Sequence, residues 1–87
     1  MQQFIEWIRA NKPGANIIFI DLTSLCYENL KEYHNINNYI EDYYESTKEN
    51  YLFIDEVQLF PNFELTINSL HSSGNYDIYV TRSNAFY

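Results

Sequence analysis

Short runs of β-branched and aromatic residues divide this chain, with helical patterns between them. The runs lie at Ile17–Ile20, Tyr51–Ile54 and Asp77–Thr81. Runs as short and as continuous as the first two are typical of strands buried on both faces of a sheet. The central run organises the chain, because polar residues bound it and it stops on two adjacent carboxylates, Asp55 and Glu56.

Helical patterns fill the segments between these runs. Met1–Asn11 carries apolar residues at near-helical spacing before Pro and Gly residues that end a helix. Asn35–Thr47 repeats apolar residues at i, i+3, i+4, i+7 and i+8, with Asn35 as the predicted N-cap. Asn62 is predicted to cap a third helix that ends near the second glycine. For Leu22–Tyr33 the pattern leaves open whether the segment is a loop or a short helix.

The order of these elements predicts the fold class. Strands that alternate with helices form right-handed βαβ units and therefore a parallel sheet. The segment Val57–Asn62 is too short and too interrupted to form an element of its own. We predict one α/β domain over residues 1–87, with a small three-stranded parallel sheet and flanking helices. In such sheets ligands bind beyond the carboxyl ends of the strands, which places Asp55 and Glu56 at the expected site.

Composition argues against several classes of function. The chain of 87 residues has a net charge of −7, from twelve acidic and five basic residues, which argues against electrostatic binding to the phosphates of nucleic acid without excluding it, and the sequence shows no basic stripe. No apolar segment reaches the roughly twenty residues of a membrane span. The N-terminus lacks the pattern of an export signal, so we expect a soluble, cytoplasmic protein. The single cysteine, Cys26, has no partner for an internal disulfide.

Other residues with chemical potential are expected to be structural. Asp21 ends a predicted strand and is expected to cap or solvate that end, with a metal role as the minor alternative, while Cys26 is expected to be a small core residue. The two histidines have no second ligand at metal-binding spacing and are expected at the surface. The tyrosine stripe of the second helix is expected to pack in the core rather than stack on bases. These residues are Asp21, Cys26, His34, His71, Tyr39, Tyr43 and Tyr44.

Two sequence motifs, taken together with the distance between them along the chain, resemble those of a known family. The first reads Tyr-Leu-Phe-Ile-Asp-Glu-Val-Gln at 51–58, with Pro-Asn-Phe-Glu at 61–64. The second reads Asp-Ile-Tyr-Val-Thr at 77–81, with Ser-Asn-Ala at 83–85. Together they resemble the Walker B strand and the sensor strand of AAA-type P-loop ATPases, in particular bacterial and archaeal ATP-binding proteins with a poorly characterised C-terminal region. The resemblance covers the chain and implies a partial P-loop NTPase core.

The resemblance implies roles for the residues that match. Asp55 resembles the Walker B aspartate that holds Mg²⁺, and Glu56 resembles the glutamate that polarises the attacking water. Because neighbouring residues of a strand point to opposite faces, both can serve one site only if the strand ends there and the backbone turns. Ser83 or Asn84 resembles the polar sensor that contacts the γ-phosphate or the water. Arg82 departs from the glycine that the family usually has in this turn.

One essential part of the family pattern is absent from the sequence. Nothing matches Gly-x-x-x-x-Gly-Lys-Ser/Thr, and two glycines in total cannot form that loop. The backbone amides, the lysine and the hydroxyl that bind the phosphates and Mg²⁺ in the parent family are therefore missing. We expect a fragment or remnant of an ATP-binding protein, which binds Mg-ATP weakly or not at all and does not hydrolyse it alone.

The resemblance also implies an exposed sheet edge. In the family, the strand that matches Asp77–Thr81 pairs with the strand before the missing loop, so here we expect a bare apolar edge. We expect the chain to cover this edge by forming a homo-oligomer. The alternative function is therefore a small protein-interaction module that self-associates or binds a partner through this edge.

Overall fold

The computed structural model describes residues 2–23, 33–60 and 63–82. Within these ranges α-helices and strands alternate, and they are α1 (Gln2–Asn11), β1 (Asn16–Asp21), α2 (Tyr33–Tyr43), β2 (Asn50–Asp55), α3 (Phe63–Ser73) and β3 (Tyr76–Val80). The strands form one parallel sheet in the order β1-β2-β3. The predicted α/β class and three-stranded parallel sheet are confirmed.

The helices cover the sheet on both faces because β2 is apolar on both faces. Leu52 and Ile54 are fully buried on the face that packs against α2 and α3. Tyr51 and Phe53, which alternate with them, are buried on the face that packs against α1. The larger cluster contains Ile18, Ile20, Leu22, Ile36, Ile40, Leu52, Ile54, Val57, Phe60 and Leu70. The continuous apolar run therefore marked the central strand correctly.

The second helix differs from its predicted bounds at both ends. It begins at Tyr33, so Asn35 lies in its first turn and the prediction of Asn35 as N-cap is wrong. It ends at Tyr43 rather than at Thr47. The physical reason for the early end is a buried side chain that binds the loop backbone. Asn50 donates to the carbonyl oxygens of Glu45 and Lys48, at 2.9 and 3.0 Å, which holds these residues outside the helix.

The aromatic residues divide between the core and the surface. Tyr39 packs against the larger core cluster, and Tyr44 contacts the Tyr76 ring at a centroid distance of 5.4 Å. Tyr43 is 55% exposed, so its predicted place in the core is wrong. Tyr43 lies on the same helical stripe as Ile36 and Ile40, but it is the last residue of α2, where the helix ends.

Some predictions fall outside the described residues. They concern Cys26, the cap at Asn62, the side chain of His34 and most of Leu22–Tyr33. His71 is exposed, as expected. No helix formed by the described residues is both long enough and apolar enough to cross a membrane.

Candidate carboxylate site at the end of the central strand

The backbone turns sharply where β2 ends. Asp55 is the last strand residue, and Glu56 adopts the left-handed conformation, with φ 61° and ψ 50°. A single 3₁₀ turn, Val57–Leu59, follows, so the prediction of no element in this segment is wrong. Two hydrogen bonds close the turn, and Val57 and Phe60 anchor it in the core. Two neighbouring carboxylates can serve one site only where the strand ends and the backbone turns. Both features are present at Asp55 and Glu56.

Thr81, just after β3, holds this turn through all of its polar groups. Its hydroxyl donates to Oδ1 of Asp55 and accepts from the backbone N–H of Glu56, at 2.9 Å. Its own N–H donates to the carbonyl of Ile54 at 3.0 Å, and its carbonyl accepts from the N–H of Val57 at 3.0 Å. Thr81 therefore binds four consecutive residues, from Ile54 to Val57.

Strand register explains why Thr81 reaches Asp55. The ladder between β2 and β3 pairs Ile54 with Val80, so the next step places Thr81 beside Asp55. Both side chains point to the face that carries α1, because each lies two residues beyond an inward residue of that face. Thr81 is the site residue that sequence analysis missed. The available signal was its place at the end of a strand parallel to the one that ends at Asp55.

The Glu56 carboxylate is also positioned by a neighbour. Gln58 Nε2 donates a hydrogen bond to Glu56 Oε2 across the 3₁₀ turn. Glu56 is half-buried, whereas Gln58 is exposed. The turn therefore presents the carboxylate at the rim of the candidate site, with the glutamine of the Asp-Glu-Val-Gln motif as its hydrogen-bond partner.

The residues next to this site have local structural roles. Asp21, the register partner of Asp55 on β1, accepts hydrogen bonds from the N–H and the hydroxyl of Thr23, at 3.0 and 2.6 Å. Its predicted role as a strand-end cap is confirmed. Arg82 lies over the ring of Phe63, with the guanidinium carbon 5.2 Å from the centroid. Ser83 and Asn84 lie outside the described residues, so their sensor-like role stays a prediction.

Asp55 and Glu56 carry oxygen ligands of the type that a magnesium ion takes. Carboxylate oxygens are the ligands that Mg²⁺ prefers, and one or two of them suffice when phosphates supply the rest. The hydrogen bond from Thr81 engages one of the two Asp55 oxygens, Oδ1. Among the described residues, no group of three or more acidic, histidine or cysteine side chains lies together as a metal site. The sequence contains no phosphate-binding loop.

A cavity of about 380 Å³ lies at the opposite end of the sheet, and residues at the amino ends of β2 and β3 line it. There Lys12 Nζ donates to the Tyr51 hydroxyl at 2.9 Å and contacts Glu49 at 3.3 Å. The pKa of Glu49 is lowered, first by the hydrogen bond from the Tyr51 hydroxyl and to a smaller extent by the one from Lys12. The pKa of Lys12 is raised, first by its hydrogen bond to Tyr51 and to a smaller extent by the one to Glu49. This network joins α1 to β2 and is separate from the carboxylate site.

Comparison with known proteins agrees with these features. Residues 1–87 match the family model described as the AAA domain. A Haemophilus influenzae protein, described only as uncharacterized, is 32% identical over 87 residues, which are 98% of this chain and 22% of that protein. The chain thus spans less than a quarter of that relative. No solved structure matches the chain.

The AAA family generally binds Mg-ATP. On its full-length match to the family model, the chain belongs to the AAA domain family.

Proposed function

We propose that residues 1–87 supply the carboxylate part of an AAA-type nucleotide site and do not hydrolyse ATP by themselves. In this proposal the chain is a fragment or remnant of an AAA-type ATP-binding protein. The observation that carries it is the turn at Asp55 and Glu56, which Thr81 holds through its hydroxyl and both backbone polar groups. Such a turn places two carboxylates at the carboxyl end of a parallel sheet, where ligands of α/β folds bind.

Each residue of the turn has one task in this proposal. Asp55 offers its carboxylate to a magnesium ion, and Glu56 accepts a hydrogen bond from a water molecule. Thr81 and Gln58 fix the orientation of these two carboxylates. Bound Mg²⁺ would supply charge neutralisation for phosphate oxygens. The phosphate-binding loop that this chain lacks has to come from elsewhere for hydrolysis to occur.

Calorimetric titration with Mg-ATP tests the nucleotide part of the proposal. We expect no binding in the micromolar range and no Mg²⁺-dependent phosphate release by the folded chain, because nothing in the sequence replaces the amides and lysine of the loop. Glu56→Gln is the control for contaminating ATPases. Steady hydrolysis that this substitution abolishes would show that the proposal is wrong.

Titration with Mg²⁺ alone, followed by NMR at the backbone amides, tests the metal part. We expect weak binding that shifts the amides of Asp55 and Glu56 and is lost in Asp55→Asn. Asp21→Asn is the matched control, because Asp21 ends the neighbouring strand in register with Asp55. Equal losses in both variants, or shifts that ignore Asp55, would contradict its assignment as the metal ligand.

The edge of the sheet supports a second candidate function, a protein-interaction module that self-associates or binds a partner. The observation is that β3 pairs with β2 on one side and ends the sheet on the other, within the described residues. A synthetic peptide with the β3 sequence is a suitable probe, with a scrambled peptide as control. Peptide-specific shifts at the edge amides would support strand addition, and identical shifts with the scrambled peptide would refute it.

A further inference from the structure

A second cavity lies between α2 and α3, on the face of the sheet opposite α1. Its volume is about 260 Å³, and residues of both helices and of the start of β3 line it. Both helices pack against the larger core cluster, whereas α1 packs on the other face. A further strand beside β3 would extend the sheet in its own plane. The cleft between the two helices would keep its shape beside such a strand.

One carboxylate supplies the charge of this cleft. Glu41 is the only acidic or basic side chain among the described residues that line it. The one ion pair found in the described part of the chain joins Lys12 and Glu49. Lys12 and Lys48 line the 380 Å³ cavity at the amino ends of β2 and β3, and they do not line this cleft. The Glu41 carboxylate is therefore available to a positively charged ligand.

Two aromatic rings form a wall of the same cleft. Tyr44 and Tyr76 are half-buried, and their ring centroids lie 5.4 Å apart at an angle of 58°. Burial raises the pKa of the Tyr76 hydroxyl, and the charge of Glu41 raises it further, in agreement with a carboxylate close to this ring. Aromatic faces attract ammonium and guanidinium groups. Rings and carboxylate together favour an organic cation.

The ends of the two helices add to this preference. α2 ends at Tyr43 and α3 ends at Ser73, and each helix leads into a strand whose amino end lies beside the cleft. The carboxyl end of a helix carries partial negative charge from its free carbonyl groups. No basic residue occupies the last turn of α2, and His71 is the one in the last turn of α3. Both helix ends therefore favour a cation in the place where Glu41 lies.

We propose that the cleft between α2 and α3 binds an organic cation, an alkylammonium or guanidinium group, through the Glu41 carboxylate and the rings of Tyr44 and Tyr76. The cavity is smaller than the roughly 300–1,000 Å³ of sites for drug-sized ligands, so it suits a single charged group on a short carbon chain. A free amine and a side chain of a partner protein share this chemistry. The cleft lies at the amino end of the sheet and is independent of the nucleotide site proposed at the carboxyl end.

NMR titration of the chain with n-butylammonium chloride at constant ionic strength tests the cation site. We expect the backbone amides of Glu41, Tyr44 and Tyr76 to shift, with a Kd in the millimolar range. The matched ligand is 1-butanol, which has the same carbon chain without the charge and should leave these amides unchanged. Equal shifts with both compounds, or no shift with butylammonium, would overturn the proposal.

Variants of the lining residues test which groups bind the cation. Glu41→Gln should weaken binding by up to about fivefold, the largest effect usual for a solvent-accessible ion pair. Asp42→Asn is the matched control, because Asp42 is the next residue of α2, is also exposed and does not line the cleft. Equal weakening by both changes would refute a specific role of Glu41. Tyr44→Phe keeps the ring and should retain binding, whereas full binding by Tyr44→Leu would refute the role of the rings.

A third ligand separates the two sources of the cation. Nα-acetyl-lysine methylamide presents the lysine side chain as a protein does. If it shifts the same amides as butylammonium, the site accepts a lysine of a partner protein. If butylammonium alone binds, the site takes a free amine. Binding of neither compound would refute the cation site and would leave the proposal for Asp55 and Glu56 as it stands.

Discussion

Thr81 shows how much of the candidate site depends on a single side chain. Its hydroxyl joins two groups that are adjacent in sequence but point in different directions, the Asp55 carboxylate and the Glu56 N–H. A hydroxyl suits this position because it donates and accepts at once. Valine has the same shape but can neither donate nor accept a hydrogen bond. Comparing Thr81→Val with Thr81→Ser therefore measures the contribution of the hydroxyl's hydrogen bonds.

We expect Thr81→Val to lower the free energy of unfolding by about 1–3 kcal/mol, because it leaves the half-buried N–H of Glu56 without its partner. Thr81→Ser should retain most of the stability, since it keeps the hydroxyl. Urea unfolding of the three proteins measures the difference. If the valine and serine variants unfold at the same urea concentration, the hydroxyl does not stabilise the turn.

The left-handed backbone of Glu56 predicts an unusual effect of glycine. A residue with a Cβ atom pays about 1–2 kcal/mol in this conformation, whereas glycine adopts it freely. Glu56→Gly and Glu56→Ala both lose the hydrogen bond from Gln58, so they differ in backbone strain, which favours glycine, and in the larger unfolded-state entropy of glycine, which partly offsets it. We expect the glycine variant to be more stable than the alanine variant by about 1 kcal/mol in thermal unfolding. Equal stabilities would mean that the turn relaxes without cost.

At the scale of elements, one asparagine connects a loop and two strands. Asn50, only 4% exposed, accepts hydrogen bonds from the Asn16 side chain at 2.8 Å and from the Glu45 N–H at 3.0 Å. It also donates to the Glu45 and Lys48 carbonyls. The loop that leads from α2 to β2 is therefore built around a side chain that lies in the strand.

We expect Asn50→Ala to lower the free energy of unfolding by about 2–4 kcal/mol, because several partners lose their hydrogen bonds at a buried position. Asn11→Ala is the control, since Asn11 is exposed and its side chain makes one bond, to the Trp7 carbonyl. That change should stay within about 0.5 kcal/mol. A comparable loss in both variants, measured by urea unfolding, would contradict the role of Asn50 as the loop's centre.

At the scale of the whole molecule, contacts far apart in sequence join α1 to the sheet. Ile5 and Ile8 pack against Tyr51 and Phe53, and Lys12 adds the polar contact to Glu49. The pKa of Glu49 is lowered in the folded chain, first by the Tyr51 hydroxyl and then by Lys12. The folded state therefore holds the Glu49 proton less tightly than the unfolded state does.

This difference predicts a pH dependence of stability. A carboxylate with a lowered folded pKa stabilises the fold above its unfolded pKa, and the contribution disappears as pH falls through the folded pKa. Wild type should therefore exceed Glu49→Gln in stability near neutral pH, and the two should converge in acid. Glu6→Gln, at an exposed position of α1, controls for the removal of one charge. Unfolding curves from pH 7 to pH 3 measure the difference, and a gap that persists in acid would refute it.

The amino-acid sequence by itself determined the class of fold and the point at which the central strand ends. Continuous apolar runs specify strands buried on both faces, and polar residues after the central run specify where that strand stops. The position of Asp55 and Glu56 at the end of the central strand could therefore be predicted from the printed sequence alone. The N-cap at Asn35 was wrong, and Tyr43 is exposed, because helix ends and helix faces depend on what packs beside them.

Tertiary structure alone decided how the site is held. The contacts of Thr81 join residues 25 and 26 positions apart, and Asn50 ends α2 through bonds made from the next strand. Periodicity along the chain describes which face a residue occupies, but it contains no information about which residue of another strand lies opposite. That pairing follows from register, and register is set when the helices cover both faces of the sheet and fix the strands against each other.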